Sequence, residues 1–149
     1  MINNVNPPHR SGWKKMRITV DSGAAESVIP VDEVMNYKKN KPRMEEWFQT
    51  ASGEPIRNEG EQRIPIMLSS GQLRGMTFQA CEVTKPLASV KRMMDAGHAV
   101  VFAPEAAGGS FVMNLETGED EVLIEEDGNY YMDVWVPPPD ALPGFIRQP

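Results

Sequence analysis

Turn signals cut this chain too often for long helices. Ser22-Gly23, Ser52-Gly53, Thr117-Gly118 and Asp127-Gly128 punctuate it, with Pro55 and Gly97 as further breaks. Gly readily takes positive φ and Pro lacks a backbone donor, so only short elements fit between these points. Several of the intervals have the period of a strand. Met16, Ile18 and Val20 alternate with Lys15, Arg17 and Thr19, which predicts a strand with one buried face running into Asp21. Residues 45–68 read as two extended segments joined near Ser52-Gly53-Glu54, a hairpin. Residues 76–84, 98–103, 110–124 and 128–136 read as further strands. Helical spacing occurs at Leu87, Val90, Met93 and Met94, closed by Gly97, and a second short helix is expected over residues 32–38. The fold class is therefore all-β, a small barrel or sandwich with one main short helix.

The 149 residues suit one domain. Residues 1–12 and 137–149, rich in Pro, Gly and Asn, read as tails around a domain at 13–136. A net charge of −6 disfavours nucleic acid as a partner, and Lys38, Lys39, Lys41 and Arg43 read as a solvated loop. No apolar run is long enough for a membrane span, so no membrane partner is expected. Cys81 is the only cysteine, which rules out an internal disulfide and a cysteine-based zinc site. It is expected as a small buried hydrophobe; a lone thiol permits a reducing compartment, and an intracellular, cytoplasmic setting is the expectation. His9 and His98 are the only imidazoles. His9 lies in a tail and His98 reads as a turn residue, which weakens serine or cysteine hydrolase chemistry. Trp13, Trp47 and Trp135 are expected in the core, as are Met93 and Met94.

The chemistry concentrates at Asp21-Ser22-Gly23-Ala24, where a strand delivers a carboxylate into a turn stripped of bulk. An Asp in that position often just bonds its own backbone. The tetrapeptide also resembles the active-site turn of the retropepsin-like aspartic proteases, which use Asp-Thr/Ser-Gly-Ala. Residues 50–61 resemble the family's flap hairpin, and residues 86–136 are similar to the segment after the flap in copia-like retrotransposon polyproteins. The resemblance spans residues 13–136. It implies a closed acid-protease barrel with a flap hairpin and a short C-terminal helix.

The implied activity is endopeptidase cleavage in polyprotein processing, by a homodimer that pairs one Asp21 from each subunit. Asp21, Ser22 and Gly23 would be catalytic: Ser22 bonding across the dimer axis, Gly23 letting its amide reach the carboxylate. Ala24, Ser52, Gly53 and Glu54 would line the substrate channel and the flap tip. The expected partners are a peptide or polyprotein substrate and a second copy, with no cofactor and no metal. The chain departs from the retroviral pattern where Leu87-Ala88-Ser89-Val90 replaces two apolar residues and a Gly, and its flap has fewer glycines. A non-catalytic peptide-binding or dimerisation module on the same fold is the alternative. Actin-like and sugar-kinase phosphate loops need a second Asp-Gly loop and far more chain, and Gly23 stands where haloacid dehalogenase-type phosphatases have their second Asp.

Overall fold

The computed structural model describes residues 12–42, 47–49 and 53–141. The chain is mostly β. Its strands are β1 (Lys14–Asp21), β2 (Val28–Pro30), β3 (Trp47–Gln49), β4 (Pro55–Arg57), β5 (Gly60–Met67), β6 (Leu73–Cys81) and β7 (Leu87–Ser89). After helix α1 (Val90–Asp95) come β8 (His98–Val101), β9 (Phe111–Asn114), β10 (Asp120–Val122), β11 (Ile124–Glu126) and β12 (Asn129–Val136). Seven strands form one mixed sheet in the order β1-β7-β2-β6-β5-β12-β11, and a further β1–β12 pairing returns the circuit to its first strand. The β5–β12 link in that circuit is the single pair Trp135↔Met67. β8, β9 and β10 make a three-stranded sheet, and β3 pairs β4 in a hairpin of its own.

β1 departs from the expected single buried face in an informative way. Met16, Ile18 and Val20 are buried as the alternation predicts, but Thr19 is buried too. By that point β1 lies between two strands: Thr19 is in register with Tyr131 of β12 and with Leu87 of β7. The strand therefore enters the interior just before Asp21. Ile18 and Ile64 are fully buried against Phe78 and Val134 in one cluster. Each such aliphatic side chain contributes about 1.5–3 kcal/mol relative to exposure.

The Asp-Gly turn works as its composition predicts. Asp127 (φ 53°) and Gly128 (φ 82°) both take positive φ, and they join β11 to β12 with Glu126 opposite Asn129. That is the backbone a two-residue hairpin with right-handed strand twist requires. The second extended segment is broken at Asn58, whose Oδ1 accepts from the Gly60 N–H at 3.0 Å. At Gly60 (φ 147°) a Cβ would lie 2.9 Å from the Asn40 carbonyl oxygen, so the close approach of the 39–40 backbone excludes any side chain.

Other expectations need correction. The helix over 32–38 is a series of turns. Gln62 Nε2, buried, donates to the carbonyls of Val34 (2.8 Å) and Tyr37 (2.9 Å), and the Val34 carbonyl is one that a helix would have paired with the N–H of residue 38. Leu87 belongs to β7 and not to the helix, which begins at Val90 and is followed by five strands, so it is not C-terminal in the chain. Its shortness also divides the methionines: Met93 packs on the core, while Met94 is 55% exposed. Trp47 is 53% exposed on the β3–β4 hairpin and not in the core. Trp13 and Trp135 are half-buried. Cys81 is fully buried, and desolvation pushes its thiol up to about 11. Beyond residue 136, Pro137 is buried and its carbonyl accepts from Tyr37 Oη at 2.7 Å.

Arg17 and Asp133 face each other across β1 and β12. The guanidinium donates to Asp133 from Nε (2.8 Å) and Nη2 (2.9 Å), and to Glu126 from Nη1 (2.7 Å). Hydrogen bonding from Arg17 holds the Asp133 carboxyl below its ordinary value, against an opposing contribution from partial burial. A folded-state value below the unfolded one gives stability that is present above the unfolded carboxylate range and lost as pH falls through the folded value. Asp133→Asn is therefore expected to flatten the acid limb of the melting-temperature profile and leave the alkaline limb in place. Thermal melts across acidic to neutral pH check this, and an unchanged acid limb contradicts it.

Candidate active site

Asp21 is the last residue of β1 and lies in parallel register with Ser89, the last residue of β7. Two buried strands thus end side by side where the Asp-Ser-Gly-Ala turn begins. The Asp21 side chain is half-buried, and its Oδ1 accepts from the Gly23 N–H at 2.8 Å. This fixes one carboxylate oxygen. Ser22, Gly23 and Ala25 are exposed, Ala24 is half-buried, and the Ser22 hydroxyl makes no hydrogen bond within the described residues. One face of the turn is therefore open.

The expected approach of the Gly23 amide to the carboxylate is present, but glycine is not what permits it within one chain. A Cβ at residue 23 would sit 3.4 Å from Asp21 Oδ1, at the edge of ordinary contact, and the residue's φ is outside the left-handed region. What glycine leaves is bare, exposed backbone beside the acid.

Two serines that sequence reasoning missed hold this turn. Ser27 is buried, its Oγ accepts from the Ser89 N–H at 2.9 Å, and its carbonyl accepts from the Gln79 N–H at 2.8 Å. Ser89 is buried as well; its Oγ donates to the Ala24 carbonyl at 2.7 Å and accepts from the Arg92 N–H at 3.1 Å. Ser89 thus caps α1 and ties the far side of the Asp21 turn to the helix with one hydroxyl. Glu26 adds an ion pair to Arg92. The legible signal was Ser89 at a helix start; nothing local marks Ser27.

The remaining predicted residues lie elsewhere. Gly53 (φ 88°) and Glu54 are exposed at the β3–β4 hairpin, which supports the expected turn, and Ser52 falls outside the described residues. Lys38 and Lys41 are exposed and Lys39 is half-buried, with Arg43 outside the described residues. His98 begins β8 instead of sitting in a turn, with Nδ1 3.1 Å from the Met93 carbonyl oxygen. Among the described residues no cluster of His, Cys, Asp or Glu could hold a metal ion, and no helix is long and apolar enough to cross a membrane.

A cavity of about 760 Å³ lies near this region but does not open on the carboxylate. Ser27 and Arg92 line it, whereas none of Asp21, Ser22, Gly23 and Ala24 does. No family model, curated protein or solved structure matches the chain.

Proposed function

We propose that the chain is a retropepsin-like aspartic endopeptidase, active as a homodimer and suited to polyprotein processing. The observation that carries this reading is the Asp21 turn. A carboxylate delivered by a buried strand is held at one oxygen by the Gly23 N–H, with Ser22 and Gly23 exposed beside it. A lone carboxylate can bind or orient, but hydrolysing an amide without a metal needs an acid and a base together. A two-fold axis past the open face of the turn would supply the second Asp21 from an identical chain.

Two carboxyls brought to about 3 Å cannot both ionise, so the pair holds one proton, as in aspartic proteases generally. The ionised member takes a proton from water as the water attacks the peptide carbonyl, and the protonated member donates to the carbonyl oxygen. The Ser22 hydroxyl, without a hydrogen-bond partner among the described residues, would bond across the axis. The β3–β4 hairpin with Gly53 and Glu54 would act as the flap that excludes water from the bound peptide. The circuit of pairings that returns to β1 is compatible with the barrel this reading requires.

The test is a mixed-peptide cleavage assay from acidic to neutral pH, with and without a peptide mimic carrying a hydroxyl in place of the scissile carbonyl. New peptide termini that vanish with the mimic are expected. Folded protein that binds peptides saturably without cutting them at any pH overturns the enzyme and leaves a binding module.

A further inference from the structure

We propose that the open edge of β6 is a second peptide site, away from Asp21, which takes an extended segment of alternating acidic and apolar residues. The backbone pattern defines the edge. The Gln79 N–H turns away from β5 to donate to Ser27, while the Ala80 carbonyl turns the other way to accept from the Glu59 N–H. Odd-numbered residues of β6 therefore aim their main-chain groups away from β5. β2 covers that side only at residues 79–81. At Gly75 and Thr77 no strand of the described residues pairs with it.

This edge lines the 760 Å³ cavity, whose lining also includes Met93 of α1, His98 of β8 and Val112 of β9. The space falls within the usual range of ligand pockets, about 300–1,000 Å³. An unpaired strand edge inside a cavity is suited to an added strand: main-chain bonds hold the segment and alternate side chains are read on the two faces.

Those faces differ in chemistry. Arg63 lies opposite Thr77 and Pro65 opposite Gly75, so they share one face; Met76 with Ile64, and Arg74 with Ile66, share the other. On the first face the Arg63 guanidinium lies over Gly75, where a Cβ would be 2.6 Å from Nη2. Gly75 is not in the left-handed region, so the glycine supplies space for the guanidinium and not a special backbone conformation. Arg63 Nη1 donates to Thr77 Oγ1 at 3.2 Å, and no ion pair joins Arg63 to an acid among the described residues.

The other arginines and all but one of the acids on the wall already have partners; the exception, Asp120, is exposed. Arg74 pairs with Glu119, Arg92 with Glu26, Glu61 accepts from Gln79, and Glu121 accepts from Ser69. Arg63 is the cation left to meet an incoming carboxylate, while positions alternating with it meet the Met76 face.

Calorimetry with acetyl-Val-Glu-Val-Glu-Val-amide and its Lys counterpart tests this. Saturable binding of the Glu peptide, at least about tenfold tighter than the Lys peptide, is expected. Arg63→Gln should weaken it about tenfold. Thr77→Pro, which removes an open-edge N–H and spares the β5 ladder, should do likewise, while Thr77→Val retains binding. If Thr77→Pro does not fold, Arg63→Gln alone decides. Binding should persist in Asp21→Asn and in the presence of the hydroxyl-bearing peptide mimic, which separates this site from the proposed catalytic one. Absent binding, equal binding of both peptides, or displacement by the mimic overturns the proposal. A Thr77→Pro effect on self-association instead of peptide binding assigns the edge to a second copy and overturns it too.

Discussion

Asp21→Asn is expected to yield a folded protein whose peptide cleavage is reduced by at least about a thousandfold. Asn keeps the Oδ1 that accepts the Gly23 N–H at 2.8 Å, so the turn has the same local bond to hold it. The amide cannot ionise, and two such turns cannot share a proton. The loss should appear in kcat/KM on a fluorogenic peptide, with the melting temperature close to wild type. A mixing experiment sharpens the test. When equal amounts of wild-type and variant chains are unfolded and refolded together, random pairing leaves about one quarter of the dimers with two Asp21 carboxyls. Activity per wild-type chain should then fall to about half, whereas an enzyme complete in one chain keeps its full activity per wild-type chain. Undiminished cleavage by Asp21→Asn alone removes the catalytic role.

Local signals reported much of this architecture because they are local in origin. The period-two run ending at Asp21 and the Asp127-Gly128 hairpin rest on backbone geometry within a few residues, and both are present. What sequence did not disclose depends on neighbours distant along the chain. Residues 32–38 have helical composition, but Gln62 takes two of their carbonyls. Leu87 has helical spacing to Val90, yet it sits beside Thr19 of β1 and Val28 of β2 and extends. Trp47 has the bulk of a core residue but stands on a hairpin outside the main sheet.

The candidate site divides in the same way. Asp21, Ser22 and Gly23 are contiguous, and the motif carries their arrangement. Ser27 and Ser89, which brace that turn, are 62 residues apart and bond only because β7 comes to lie beside both β2 and β1. Arg63 is comparable: the place of its guanidinium depends on Gly75 and Thr77, residues of another strand. A motif reports the reacting group, while its supports appear only once the sheet has formed.

Ser89→Ala should therefore damage the site without touching the acid. The hydroxyl makes two bonds at once, to the Ala24 carbonyl and from the Arg92 N–H. Losing a helix cap costs about 1 kcal/mol, and depriving an interior carbonyl of its donor costs about 1–3 kcal/mol. Ala24 is half-buried, so water can replace part of the second bond, and a total near 2 kcal/mol is expected. Denaturant unfolding measures that loss. Ser27→Ala removes only the acceptor for the Ser89 N–H and should cost about 1 kcal/mol. If bracing matters to catalysis, Ser89→Ala lowers kcat under conditions where the protein remains folded, because the turn that must meet its twin is no longer tied to α1. Its KM should change much less, since the serine is buried and away from the exposed face of the turn. Equal kcat in folded Ser89→Ala and wild-type protein would leave Ser89 a cap of α1 and nothing more.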